Sequence, residues 1–255
     1  MTAYTAYFDA SGSQTTDMMA VGGFISNDDD WKQFETEWNA ALAWAKVPYF
    51  HMKKFTAKRE PFDNKRWERE EHRKEFLGRL IDAIARNVDL FALNILPLQD
   101  WSMINKEYCM HEERLTPFAV ASCGAMLCVE EWCRANRVPW SGMEVIFEHG
   151  DLDRGDFEFW CKKTFHKSPL FMPGVPDKTG NLDEYPLTPL QACDFIAWEA
   201  RRAETDVKDD PPTYELRRCF SILLDRLEHY DDHEKWNEEN LRSLCVKHNI
   251  KRRSY

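Results

Sequence analysis

Tyr4-Thr5-Ala6-Tyr7-Phe8-Asp9, followed by Ala10-Ser11-Gly12-Ser13, is an apolar run that closes on a carboxylate and enters a Ser/Gly turn. The run predicts a buried strand over 3–9. A carboxylate at its end is costly unless a cation, a proton or a partner offsets its charge. Residues 18–25, Met-Met-Ala-Val-Gly-Gly-Phe-Ile, predict an antiparallel partner across the polar loop. Two further acids occupy comparable places. Glu148 ends the apolar run Met143 to Glu148, and Asp194 lies on the apolar stripe of a later helix. Acids at three element ends point to one metal site built by the fold.

The elements between these acids follow from periodicity and breakers. Asn27 and Asp28-Asp29-Asp30 predict a helix start, with acids favoured at the positive helix end. Trp31, Phe34, Trp38, Leu42 and Ala45 carry that helix to about Lys46, and Pro48 stops it. The segment Tyr49-Phe50-His51-Met52-Lys53-Lys54-Phe55 follows, then a loop over 56–65 and an amphipathic helix over 66–86. Residues 88–96 predict a third strand, with helices near 97–108 and 115–136 after it. The fourth strand, 143–148, is apolar on both faces, as in the interior of a sheet. A helix over 154–166 precedes a Pro/Gly/Asp-rich loop over 168–185 with a short edge strand at Leu170-Phe171-Met172. The helix over 188–204 opens with Thr188 as cap, Pro189 at its first position and Gln191 completing a capping box. A linker over 206–213 leads to two helices, 214–230 and 233–247, and a basic tail, Lys251-Arg252-Arg253. Strands first, then alternating helices and strands, predict an α/β fold with a mixed sheet. The division is a domain over 1–205 and a helical extension over 206–255 packed on it.

The whole chain narrows the class. With 255 residues, 10 Trp and 16 Phe, it can bury a large core. The formal net charge of −10 excludes a generic nucleic-acid coat but not an enzyme with a local basic groove. No apolar run approaches the roughly 20 residues of a membrane helix. The N-terminus enters strand-like sequence directly, which predicts no signal peptide and a cytoplasmic location. The eight cysteines contain no C-x-x-C pair, so they read as small buried hydrophobes in a reducing compartment. Cys123, Cys128 and Cys133 recur every five residues, about 140° apart on a helix, and share no face. No Walker loop, nucleophile elbow, dinucleotide fingerprint or His-Glu-x-x-His is present.

In the 188–204 helix, Leu190, Cys193, Ile196, Ala197 and Ala200 mark the inward side and Asp194 falls among them. Gln191 neighbours Asp194 one turn earlier. Glu199, about 140° further round, is expected to face elsewhere. Asp151, three residues after Glu148, is a weaker candidate acid.

The Tyr-Phe-Asp-Ala-Ser-Gly segment, Ala20-Val21-Gly22-Gly23-Phe24, Tyr49-Phe50-His51-Met52 and Leu190-Gln191-Ala192-Cys193-Asp194-Phe195-Ile196-Ala197 together resemble the domain-of-unknown-function 3800 family, which is similar to ribonuclease H-like domains. The resemblance spans residues 4 to about 204, with its specific parts at the two ends. It departs at Ala10, where that family usually has Glu. It implies a bacterial-type ribonuclease H-like fold: a mixed β-sheet flanked by helices, here with helical insertions and a C-terminal helical extension. It also implies that Asp9, Glu148 and Asp194 are catalytic metal ligands, with Asp151 a possible fourth. The chemistry implied is phosphodiester hydrolysis of DNA or RNA. Hard carboxylate oxygens suit Mg²⁺ or Mn²⁺.

Around that site, His51, Lys53 and Lys54 are candidate substrate contacts, and Gln191 a candidate second-layer residue that orients Asp194 or a metal-bound water. Lys162, Lys163, His166 and Lys167 form another basic run. The rival reading is a non-catalytic binding or assembly module. A third is a hydrolase of small phosphoesters. The expected partner is nucleic acid and not a membrane, with self-association or a protein partner left open.

Overall fold

A computed structural model describes residues 3–12, 16–150, 152–176, 186–205, 214–227 and 233–253, with 214–219 and 233–234 described through their backbone. Asp151 and the predicted linker over 206–213 lie outside the described residues, as do 177–185 of the predicted loop and 228–230 of the helix predicted over 214–230. The elements are β1 (Tyr4–Ser11), β2 (Met18–Asn27), α1 (Asp28–Ala45), α2 (Met52–Thr56), α3 (Glu70–Asn87), β3 (Leu90–Pro97), α4 (Leu98–Glu107), α5 (Pro117–Asn136), β4 (Met143–Glu148), α6 (Arg154–Phe165), β5 (Leu170–Met172), α7 (Thr188–Thr205), α8 (Tyr214–Arg226), β6 (His233–Lys235) and α9 (Glu238–Lys247).

The strands form one mixed sheet in the order β5-β4-β1-β2-β3-β6. β1 pairs antiparallel with β2, Asp9 opposite Gly22, and parallel with β4, Phe8 beside Phe147. β2 pairs antiparallel with β3, Gly22 opposite Leu93. β4 therefore lies inside the sheet, which is why its sequence is apolar on both faces. Gly12 sits at φ +130, where a side chain would strain the backbone and a Cβ would lie 2.4 Å from the Met18 carbonyl oxygen.

Alternation along the strands divides the apolar residues between two cores. Ala6, Phe8, Val145 and Phe147 join α5, α6, α4 and α9 on one face. Ala20, Phe24, Phe91 and Leu93 join α1, α3, α7 and α8 on the other. α5 is enclosed on nearly every side. Cys128 and Cys133 are therefore buried in one core and Cys123 packs against it, although their spacing spreads them round the helix. None of the seven described cysteines is joined in a disulfide.

Asn27 caps α1 as its position predicts, accepting from the backbone N–H groups of Asp29 and Asp30, both at 3.1 Å. The segment after α1 is held down by rings. Phe50 meets Trp38, Phe55, Phe62, Phe76 and Phe195 at centroid distances between 5.6 and 6.2 Å. This cluster fixes the 49–55 segment against α7.

The structure corrects two expectations about regular elements. The segment from 233 is not one helix. Residues 233–235 form β6, parallel to β3, and the helix begins only at Glu238 behind the Asn237 cap. Gln191 does not complete a capping box, because its amide is bonded to groups far from the start of α7. No described helix is long and apolar enough to cross a membrane.

Candidate functional site

The carboxyl-terminal ends of β1 and β4 lie side by side, and the pleat decides where their acids point. Phe8 and Phe147 stack at 5.1 Å on the α5 face. The next residue on each strand, Asp9 and Glu148, projects to the opposite face, with backbones roughly 4.8 Å apart as in any neighbouring pair of strands. That face is covered by α7, which packs on β1 and β2. Asp9 is 5% exposed and Glu148 4%.

α7 supplies the third acid. The Cys193 thiol lies under the helix and donates to the Tyr7 carbonyl oxygen at 3.1 Å. Burial pushes this thiol well above its usual range, and the charges of Asp9, Glu148 and Asp194 push it further the same way. Asp9 and Glu148 lie on neighbouring strands, and α7, which carries Asp194, packs over β1 and β2 at this corner of the sheet. Asp194 sits at the rim of this corner, its side chain 16% exposed. Its Oδ2 accepts from the Met52 backbone N–H at 2.5 Å and lies 3.9 Å from His51 Nδ1. Asp9 Oδ1 accepts from the Ala10 N–H at 2.7 Å.

Gln191 joins three segments at this corner. Its Oε1 accepts from Trp38 Nε1 at 3.2 Å and from the Phe50 backbone N–H at 2.8 Å, and its Nε2 donates to the Gly174 carbonyl oxygen at 3.1 Å. It thereby sets the position of the His51-Met52 backbone that meets Asp194. It acts on the site as a positioning residue, through the main chain and without a described bond to Asp194. Gly174 approaches Glu148 so closely that a Cβ there would stand 2.4 Å from Glu148 Oε1 and 2.9 Å from Leu190 Cβ.

The remaining candidates divide. His51 is at the site, beside Asp194. Lys54 turns back to Tyr49, donating to its hydroxyl at 2.6 Å and lying 5.1 Å over its ring. Lys53 is exposed on α2. Of the second basic run, Lys163 lies 4.1 Å over Trp160, and Lys167 bonds the Met143 carbonyl oxygen and lies over Trp140. Both serve α6 and its neighbours, on the other side of the sheet from the acids. Ala10 packs against the α5-side core, so position 10 projects away from the acidic corner.

Sequence reasoning missed Glu199. It is 0% exposed, because α7 is covered on several sides and has no solvent face at that position. The signal available was its local setting, the run Phe195-Ile196-Ala197-Trp198 before it and Ala200 after it.

Among the described residues, no group of three or more His, Cys, Asp or Glu is arranged to hold a metal ion. The acids share a corner without closing into a ligand shell. Comparison with protein-family models, curated proteins and solved structures gives no match.

Proposed function

We propose that the chain hydrolyses phosphodiester bonds of DNA or RNA at the corner formed by Asp9, Glu148 and Asp194, using Mg²⁺ or Mn²⁺. The observation that carries this reading is the placement of buried Asp9 and Glu148 side by side at the ends of β1 and β4, on the face covered by α7, which bears Asp194. The donor set fits the group: hard, charged oxygens, two of them buried on adjacent strands, where a cation offsets their mutual repulsion. When bound, such an ion supplies an activated water and charge stabilisation of the leaving oxygen. Asp9 and Glu148 would hold it from the sheet and Asp194 from α7. Gln191 and the Met52 N–H keep Asp194 in place, and His51 lies beside that carboxylate, 3.9 Å away, where it would contact substrate.

Labelled single- and double-stranded DNA and RNA, incubated with Mn²⁺, test the reading beside Asp9→Asn and Glu148→Gln. Cleavage by the wild type that both variants lose is the expected result. The unassembled ligand shell favours a second reading, a ribonuclease H-like binding or assembly module. Absence of cleavage on every substrate, or equal cleavage by the variants, would select it.

Gly174→Ala probes the same corner from outside the ligand set. The added methyl must push the Glu148 carboxylate aside. The expected result is a Mn²⁺-dependent rise in melting temperature that saturates at roughly tenfold higher metal concentration than in the wild type. Overpacking against Leu190 adds a stability cost of about 1–3 kcal/mol. An unchanged Mn²⁺ titration would show that Glu148 need not hold its position for metal binding.

A further inference from the structure

We infer that a groove on α4, at the same end of the sheet as the acids, is a subsite for a nucleobase of a single-stranded substrate. The inference extends the proposed phosphodiester chemistry and rests on it for the kind of ligand. The groove has a volume of about 380 Å³ and is lined by Leu98, Trp101, Ser102, Asn105, His111 and Pro117. That is the size range of pockets that enclose small ligands.

Its place follows from strand register. Asp9 is level with Gly22, and Gly22 with Leu93. β3 continues from there to Pro97 opposite Met18, and the Leu98 N–H donates to the Asp17 carbonyl oxygen at 2.9 Å as α4 begins. Four residues along and two strands across put the start of α4 roughly 15–17 Å from Asp9 in the plane of the sheet, at the end where β1 and β4 deliver their acids. α4 packs on the α5 face and the acids point to the α7 face, so a single strand with a phosphate at the acids would reach the groove by crossing over that end of the sheet.

The lining has the chemistry of base recognition. Trp101 is fixed in place, its Nε1 donating to the Leu115 carbonyl oxygen at 2.9 Å. His111 meets it edge-on, with ring centroids 6.5 Å apart and planes at 69°. Leu98 and Pro117 supply apolar walls. Asn105 Oδ1 accepts from the His111 backbone N–H at 2.9 Å, and Asn105 and Ser102 are the amide and hydroxyl side chains of the lining. Aromatic rings, apolar walls and an amide with an Nδ2 donor group suit a flat heterocycle carrying ring acceptors.

The test measures binding of fluorescein-labelled single-stranded 12-mers, DNA and matched RNA, in EDTA so that no cleavage intervenes. Asn105→Asp keeps the acceptor for the His111 N–H and removes the amino donor. His111→Ala removes an exposed ring. Melting curves establish that both variants are folded. Each is expected to weaken binding of at least one oligomer by about tenfold. Wild-type affinity in both variants overturns the subsite, as does failure of the wild type to bind either oligomer. If the wild type binds through these residues but cleaves nothing with Mn²⁺, the subsite stands and the hydrolytic reading fails.

Discussion

Asp194→Asn is expected to lower Mn²⁺-dependent cleavage by more than the roughly 10–100-fold that loss of an outer-layer partner costs a metal site. Its effect on stability should be small. The Asn carbonyl oxygen can still accept from the Met52 N–H, so the start of α2 keeps its bond to α7. What is lost is a formal charge at the rim of the corner and the strength that charge adds to one hydrogen bond, about 1 kcal/mol. Initial rates at saturating Mn²⁺, read beside a thermal melt, separate the two effects. A wild-type rate in the folded variant would remove Asp194 from the ligand set and leave it as the anchor of the His51-Met52 backbone.

Gln191→Leu should unfold the protein far more readily. Leucine matches the side chain in bulk but leaves the Trp38 Nε1–H and the Phe50 N–H without their acceptor, both in the dry interior. Each buried orphan costs about 1–3 kcal/mol, and the Gly174 carbonyl oxygen loses a donor as well. The chemical denaturation midpoint measures the loss. Gln191→Glu preserves the acceptor while removing the donor, and is expected to fall between Leu and wild type. A Leu variant within about 0.5 kcal/mol of wild type would show that the three bonds contribute no net stability.

The long elements were legible because their patterns repeat over several turns or residues. The apolar runs of β1 and β4 read as buried strands, and the aromatic spacing of α1 carries a helical period. β6 was not legible. Three residues carry no period, and the polar segment His233-Glu234-Lys235 reads as the first turn of the helix behind it. Gln191 was misread for a different reason. Local pattern supplies a local partner, whereas its actual partners, Trp38 and Phe50, are 153 and 141 residues away. Glu199 escaped because a one-sided stripe was assumed for a helix that is buried on several sides. Asp9 and Glu148 could be picked out as acids closing strands, and Asp194 as an acid on the apolar stripe of a helix. Their shared orientation, and that of position 10 away from them, depended on which face of the pleat each strand presents.

The position of β1 also sets an order of events during synthesis. One of its edges pairs at once with β2, the next strand to emerge, while the other waits for β4, which begins at Met143. Until then the future centre of the sheet is an exposed apolar edge, the kind of surface on which unfinished chains join one another. Asp9 and Asp194 are 185 residues apart, so the corner cannot assemble until that whole stretch has left the ribosome. A carboxylate at the end of β1 and Gly12 behind it put charge and a sharp bend at one end of that waiting edge. The charge and the glycine that close β1 thus also guard the nascent chain.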